Sequence, residues 1–182
     1  MLRRIFGGRS KEREGQDLYA ALVQQARLPE FYKDLGIPDT PEGRYEVIVL
    51  HAFLLFQRLN TDLERTRALS QRIFDVMFSD LDDALREMGV GDVGVSRRMK
   101  SMLESFYGRV GAYESGLASQ DDSLQAALDR NIFAEVVAGP EALVGLAAYV
   151  RRQHQHLSTQ SLDQLTSGTI EFDPRRPKMG PD

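Results

Sequence analysis

Four carboxylates stand within eight residues in Asp80-Leu81-Asp82-Asp83-Ala84-Leu85-Arg86-Glu87. At about 100° per residue along a helix, Asp80, Asp83 and Glu87 share one flank, while Asp75, Asp82 and Arg86 fall on the opposite, solvent side. Three carboxylates on one flank can take a hard cation or serve as acid and base. No histidine lies among them at helical spacing and no Glu-x-x-His occurs. The flank therefore reads as a solvated acidic face, paired with Arg44 or Arg58, or as a surface on which another protein docks. His51 sits in an apolar helix, where a buried, hydrogen-bonded imidazole is expected ahead of a haem or metal ligand. His154 and His156 are two residues apart, a spacing that points them in different directions and is poor for chelation. Gly89-Val90-Gly91-Asp92-Val93-Gly94 matches G-x-G-x-x-G, but a helix precedes it and no βαβ unit follows, so it reads as a corner between helices. The next helix is expected to begin near Ser96, with Arg97, Arg98 and Lys100 beside an N-terminus able to accept an anion. No P-loop, G-x-S-x-G or H-E-x-x-H is present.

The elements that must position these residues are helical. Leu18, Ala21, Leu22 and Ala26 recur at helical period from Gln16, and Pro29–Leu35 reads as a short turn of helix. Thr40 is an expected N-cap and Pro41 an expected first residue of a helix to about Leu59. That helix is apolar nearly all round, which marks it as central and buried. After a break at Asn60 and Thr61 a second long helix runs to about Met88, its stripe made by Ile73, Met77, Leu81, Ala84, Leu85 and Met88, with Phe74 and Phe78 at its edge; Gly89 closes it. A helix from Ser96 carries Met99, Met102, Leu103, Phe106 and Val110, and two more span 121 to about 137 and 140 to about 156. The fold class is all-α: a single irregular bundle of about six to seven helices over residues 15–158. Residues 1–14 read as a flexible basic tail in which Gly7 and Gly8 interrupt any helix, and 159–182 as a mostly irregular, largely mobile tail that Ile170 and Phe172 pin to the body.

The 182 residues suit one domain, and a 42% hydrophobic, 27% charged composition supplies a core. The net charge of −4 speaks against DNA. The absence of cysteine removes disulfides, thiolate metal sites and cysteine nucleophiles from consideration and suits a reducing cytoplasm. Val47–Phe56 is half the length needed to span a bilayer and is broken by His51. The N-terminus lacks the apolar stretch of a secretory signal. Its Arg3, Arg4, Arg9, Lys11 and Arg13 offer a contact with anionic lipid or ribosomal RNA.

Several stretches together resemble the ubiquinol–cytochrome c chaperone family: Gln25-Ala26-Arg27-Leu28-Pro29-Glu30-Phe31-Tyr32; Gly36-Ile37-Pro38-Asp39-Thr40 with Gly43-Arg44; Leu50-His51; Arg58-Leu59; Phe74-Asp75-Val76-Met77-Phe78-Ser79-Asp80-Leu81-Asp82; Leu85-Arg86-Glu87-Met88-Gly89-Val90-Gly91-Asp92; and Arg97, Lys100 and Phe106-Tyr107-Gly108-Arg109. The resemblance spans roughly residues 16–150 and looks like a bacterial member. It implies a non-enzymatic assembly factor for the respiratory cytochrome bc complex, without cofactor or metal. It further implies newly made cytochrome b as client, action beside the ribosome, and a small partner protein. The expected partner-binding residues are polar ones with no evident folding reason, Asp39, Arg44, His51, Arg58, Asp80, Asp83, Arg86, Glu87 and Asp92, with the glycine corner Gly89 and Gly91. Their charges would orient a client's positive loops. The helix from Pro41 and the methionine-bearing stripes of residues 73–103 would line an adaptable groove. The competing reading is a helical ligand-binding domain using His51 and the Asp80/Asp83/Glu87 face for haem, quinone or metal. The expected location is the cytoplasm, with residues 1–14 touching the inner membrane.

Overall fold

The computed structural model describes residues 3–119 and 121–181, with side chains from Arg13 onward. The chain folds as α1 (Arg3–Ala26), α2 (Pro29–Lys33), α3 (Pro41–Leu59), α4 (Leu63–Glu87), α5 (Asp92–Ala118), α6 (Ser123–Ile132), α7 (Pro140–Thr159) and α8 (Leu162–Thr166), with a 3-10 turn, Asn60–Asp62, joining α3 to α4. No strand occurs among the described residues. Six of these helices have ten residues or more, and α2 and α8 are single turns of five.

The centre of the bundle is α3. Thr40 caps it, its hydroxyl accepting from the Gly43 N–H at 3.1 Å, and Pro41 opens it. One face of α3 (Val47, Leu50, Phe53, Leu54) packs with α2, α6 and α7. The opposite face (Val49, Ala52, Leu55, Leu59) packs with α1, α4 and Phe106 of α5. Two half-cores sharing one helix explain why α3 is apolar around its circumference.

Three expected boundaries move. The helix α1 begins at Arg3, not near Gln16, and runs through Gly7 and Gly8 and across the expected break at residue 14. Gly15 is buried there, where an added Cβ would lie 3.1 Å from the Arg72 Cβ of α4. Of the residues on which the expected lipid or RNA contact rests, the side chains of Arg3, Arg4, Arg9 and Lys11 lie outside the described residues, and Arg13 is exposed beside Asp17 at 3.7 Å. The helix α5 begins at Asp92 rather than Ser96, so Arg97, Arg98 and Lys100 occupy its second and third turns. The helix α6 ends at Ile132, and residues 133–139 form a connection instead of its continuation to 137. Beyond α8 the tail is irregular, as expected, and Ile170 and Phe172 do pack against the core.

Candidate functional site

The predicted site residues separate into two groups. His51 is fully buried. Its Nδ1 lies 2.8 Å from the Val47 carbonyl and its Nε2 2.7 Å from the Tyr149 hydroxyl, which accepts in turn from Gln25 Nε2 at 3.0 Å. A carbonyl only accepts, so Nδ1 carries the proton and Nε2 accepts from Tyr149; the network holds a neutral imidazole. Burial pulls its pKa from 6.5 to about 4. His51 is therefore a core residue with both nitrogens engaged, and the expectation that it touches a partner is corrected. Arg58 is likewise turned inward: Nε and Nη2 donate to the Gln160 carbonyl at 3.2 and 2.6 Å and Nη1 to Thr61 Oγ1, clamping the end of α3 to the end of α7. Asp39 and Arg44 pair with each other at 2.6 Å on the surface, and the guanidinium hydrogen bond lowers the Asp39 pKa. Neither Arg44 nor Arg58 reaches the acids of α4.

Those acids and the glycine corner cluster at the far end of α4 and the start of α5. The helix α4 ends in a Schellman motif: the Val90 N–H reaches the Leu85 carbonyl at 3.1 Å and the Gly89 N–H the Arg86 carbonyl at 2.9 Å. Gly89 closes it at φ +81°, where a side chain would be strained. Gly91 is the N-cap of α5 in extended geometry, and Asp92 brings a carboxylate to that positive helix end. Arg86 spans the corner, bonding Asp82 and Asp92 at 2.5 Å each. Asp80 accepts from the Tyr19 hydroxyl of α1 at 2.7 Å. The expected flank is thus divided. Asp80 is tied to α1, whereas Asp83 and Glu87 are exposed with no ion pair among the described residues.

Beside this corner residues of α4, α5 and the N-terminal turns of α3 line an open groove of about 370 Å³. Its apolar lining includes Tyr45, Leu81, Ala84, Leu85, Met88 and Met102, and its polar border includes Glu42, Glu46 and Arg98. Met88 is 53% exposed. Deeper along the same pair, Phe74 and Phe78 stack with centroids 4.4 Å apart, Phe106 meets both edge-on, and the exposed Tyr107 lies over Phe74, zipping α4 to α5 below the opening. Glu46 of that border belongs to an ion pair that sequence reasoning missed. Glu46, 8% exposed, takes a bidentate hydrogen bond from Arg109 of α5. Burial raises the Glu46 pKa and Arg109 opposes the rise. A signal was available: Glu46 interrupts the buried run of α3, and Arg109 falls between Phe106 and Tyr113 on an inward face, so each needed an opposite charge. Tyr45 adds a hydrogen bond to the Met102 carbonyl at 3.1 Å. What this arrangement can do chemically is receive an apolar segment along an adaptable wall, with the unpaired Asp83 and Glu87 on the outer side of the same helical turns open to positive groups.

Among the described residues no set of three or more His, Asp or Glu side chains is arranged to hold a metal ion. No helix among them is long and apolar enough to cross a membrane.

Residues 33–172 match the family model described as ubiquinol–cytochrome C chaperone. The chain is 30% identical over 158 residues to ubiquinol-cytochrome-c reductase complex assembly factor 1 of Xenopus laevis, covering 86% of this chain and 79% of that protein. It is 29% identical to the mitochondrial protein CBP3 of Saccharomyces cerevisiae, covering 79% of this chain but 44% of the yeast protein. The crystal structure of the Cbp3 homolog from Brucella abortus superposes with a TM-score of 0.84 at 39% identity, covering 95% of this chain and 97% of that one. With a family match over most of its length and a solved relative of the same fold, the chain belongs to the ubiquinol–cytochrome c chaperone family.

Proposed function

We propose that this chain is a non-catalytic assembly chaperone that binds newly made cytochrome b and supports assembly of the ubiquinol–cytochrome c reductase complex, using the groove between α3, α4 and α5. The observation that carries this reading is the groove wall itself. Met88 and Ala84 stay open to solvent in a helix whose Leu81 and Leu85 are buried, and the unpaired Asp83 and Glu87 stand on the same turns. A membrane protein emerging from synthesis presents apolar helices flanked by Lys- and Arg-rich cytoplasmic loops, and such a wall complements both features. The names of the relatives supply the complex. The same reading puts client capture beside the ribosome and near the inner membrane, with the basic residues of the first turns of α1 as the anchoring charge.

The test is replacement of the chromosomal gene in the native host by Met88→Asp or by the Asp83→Lys, Glu87→Lys pair. Assembled reductase is then measured by native electrophoresis and haem b absorbance, with another respiratory complex as control. Selective loss of the reductase with normal chaperone levels is expected. Normal reductase in both variants sinks the assignment of this groove, and normal reductase in a full deletion sinks the function.

A further inference from the structure

The outer face of α7 reads the backbone of an extended peptide. Gln153, fully buried, donates from Nε2 to the Asp173 carbonyl at 3.1 Å and accepts the Asp173 N–H on Oε1 at 2.9 Å. Seven residues on, Gln160 does the same for Glu171: Nε2 donates to its carbonyl and Oε1 accepts its N–H at 3.0 Å. An extended chain turns the N–H and C=O of every second residue to one side, and the two glutamines take Glu171 and Asp173 in that register. Phe172, between them, meets the His51 ring edge-on at 5.5 Å. Arg152, nearly buried, sits 3.4 Å from the Asp173 carboxylate and donates to the Arg175 carbonyl. Further along, a Cβ on Gly145 would lie 1.9 Å from the Lys178 carbonyl, and the Gly180 N–H reaches the Glu141 carbonyl at 2.9 Å. The segment thus runs antiparallel to α7 along almost its whole length.

A mere tether needs little of this. Amide side chains that bond both backbone groups of alternate residues are a means of recognising main chain, with specificity left to one aromatic and one acidic side chain. We propose that α7 carries a peptide-binding groove which the chain's own C-terminal segment occupies as a pseudo-ligand. Its exchange partner is an extended segment of another polypeptide bearing an adjacent aromatic–carboxylate pair. Tethering sets the tail at an effective concentration of roughly millimolar, so a free segment enters only when the tail's own grip is weakened.

The test uses a fluorescein-labelled synthetic peptide of residues 169–181 and the full-length chain. In anisotropy titrations the Phe172→Ala chain binds the peptide roughly tenfold or more tighter than the unaltered chain does, because its tethered competitor is weakened. Adding Gln153→Ala to that chain abolishes binding. Circular dichroism and the thermal midpoint confirm that each chain is folded. Should Phe172→Ala not fold, Glu171→Pro, at an exposed side chain, removes the N–H that Gln160 accepts and fixes the local φ, and serves as the weakened tail. A folded chain with a weakened tail that does not take up the peptide, or takes it up equally with Gln153→Ala, overturns the proposal.

Discussion

Around His51 the polar groups of α1, α3 and α7 answer one another in a line, from Gln25 through Tyr149 and His51 to the Val47 carbonyl. The tail closes over them with Phe172. At the corner between α4 and α5 side chains are left facing out: Met88 and Val93 expose apolar surface, and Asp83 and Glu87 have no ion pair among the described residues. The first region uses polar atoms to fix one packing of the core, where an unmade bond would be costly. The second leaves contacts unmade, which carries little cost at an exposed site, and the proposed function gives them to another molecule. Residue type alone does not distinguish the two roles; burial does.

Four substitutions or conditions press on that contrast. The largest effect on stability is expected at the Glu46–Arg109 ion pair beside the groove. Arg109→Ala leaves the Glu46 carboxylate buried without its partner, costing about 3–5 kcal/mol in urea unfolding, whereas the apolar double replacement Arg109→Met, Glu46→Leu costs far less. Equal losses in the two would show that packing, not charge, governs this contact.

The next effect is a pH dependence. The folded-state pKa of His51, about 4, lies below its ordinary 6.5. As pH falls through that window the unfolded chain takes up the proton first. The stability contribution is full above 6.5 and declines by about 3 kcal/mol on the way to pH 4. His51→Gln should flatten that portion of the stability–pH profile measured by urea midpoints; an unchanged slope would mean the imidazole is not held neutral.

Third, an added Cβ on Gly43 would stand 2.0 Å from the Pro38 carbonyl at the start of α3. Gly43→Ala should destabilise by about 1–3 kcal/mol, since the loop must move to admit the methyl. A thermal midpoint equal to that of the unaltered chain would show this approach to be looser than described.

The smallest stability effect belongs to the open end. Asp83→Lys with Glu87→Lys should leave the unfolding free energy from urea titration within about 0.5 kcal/mol of the parent, even as the reductase level falls. A marked loss of stability would move these acids to the folding side of the comparison.

Much of the contrast could be read before any coordinates, and where it could not the reason is physical. The local signals held: Thr40 with Pro41 opened α3, Gly89 closed α4, and the apolar circumference of α3 announced its central place. Glycine misled where packing overrode propensity. A glycine inside a helix costs up to about 1 kcal/mol, yet α5 begins at Asp92 with Gly94 in its first turn, where a Cβ would stand 2.8 Å from Val90 Cγ1. The glutamines of α7 gave no signal at all, because their partners lie far along the chain and are backbone atoms, which carry no residue type. Polar residues in apolar helices were the recurrent ambiguity. For His51 the apolar helix around it announces a buried, hydrogen-bonded imidazole, and the pairing with Tyr149 bears that out against a partner-binding role; for Arg58 only the position of the Gln160 carbonyl reveals its role.

The central claim is that the open end of α4 and α5 receives cytochrome b. A photo-activated amino acid placed at position 88 in the native host, with position 154 as an exposed control on α7, tests it most directly. Cross-linked products are identified by mass spectrometry of the purified adducts. The account predicts cytochrome b peptides joined to position 88 and not to 154. Adducts confined to this chain itself at position 88, while cytochrome b is being made, would contradict it.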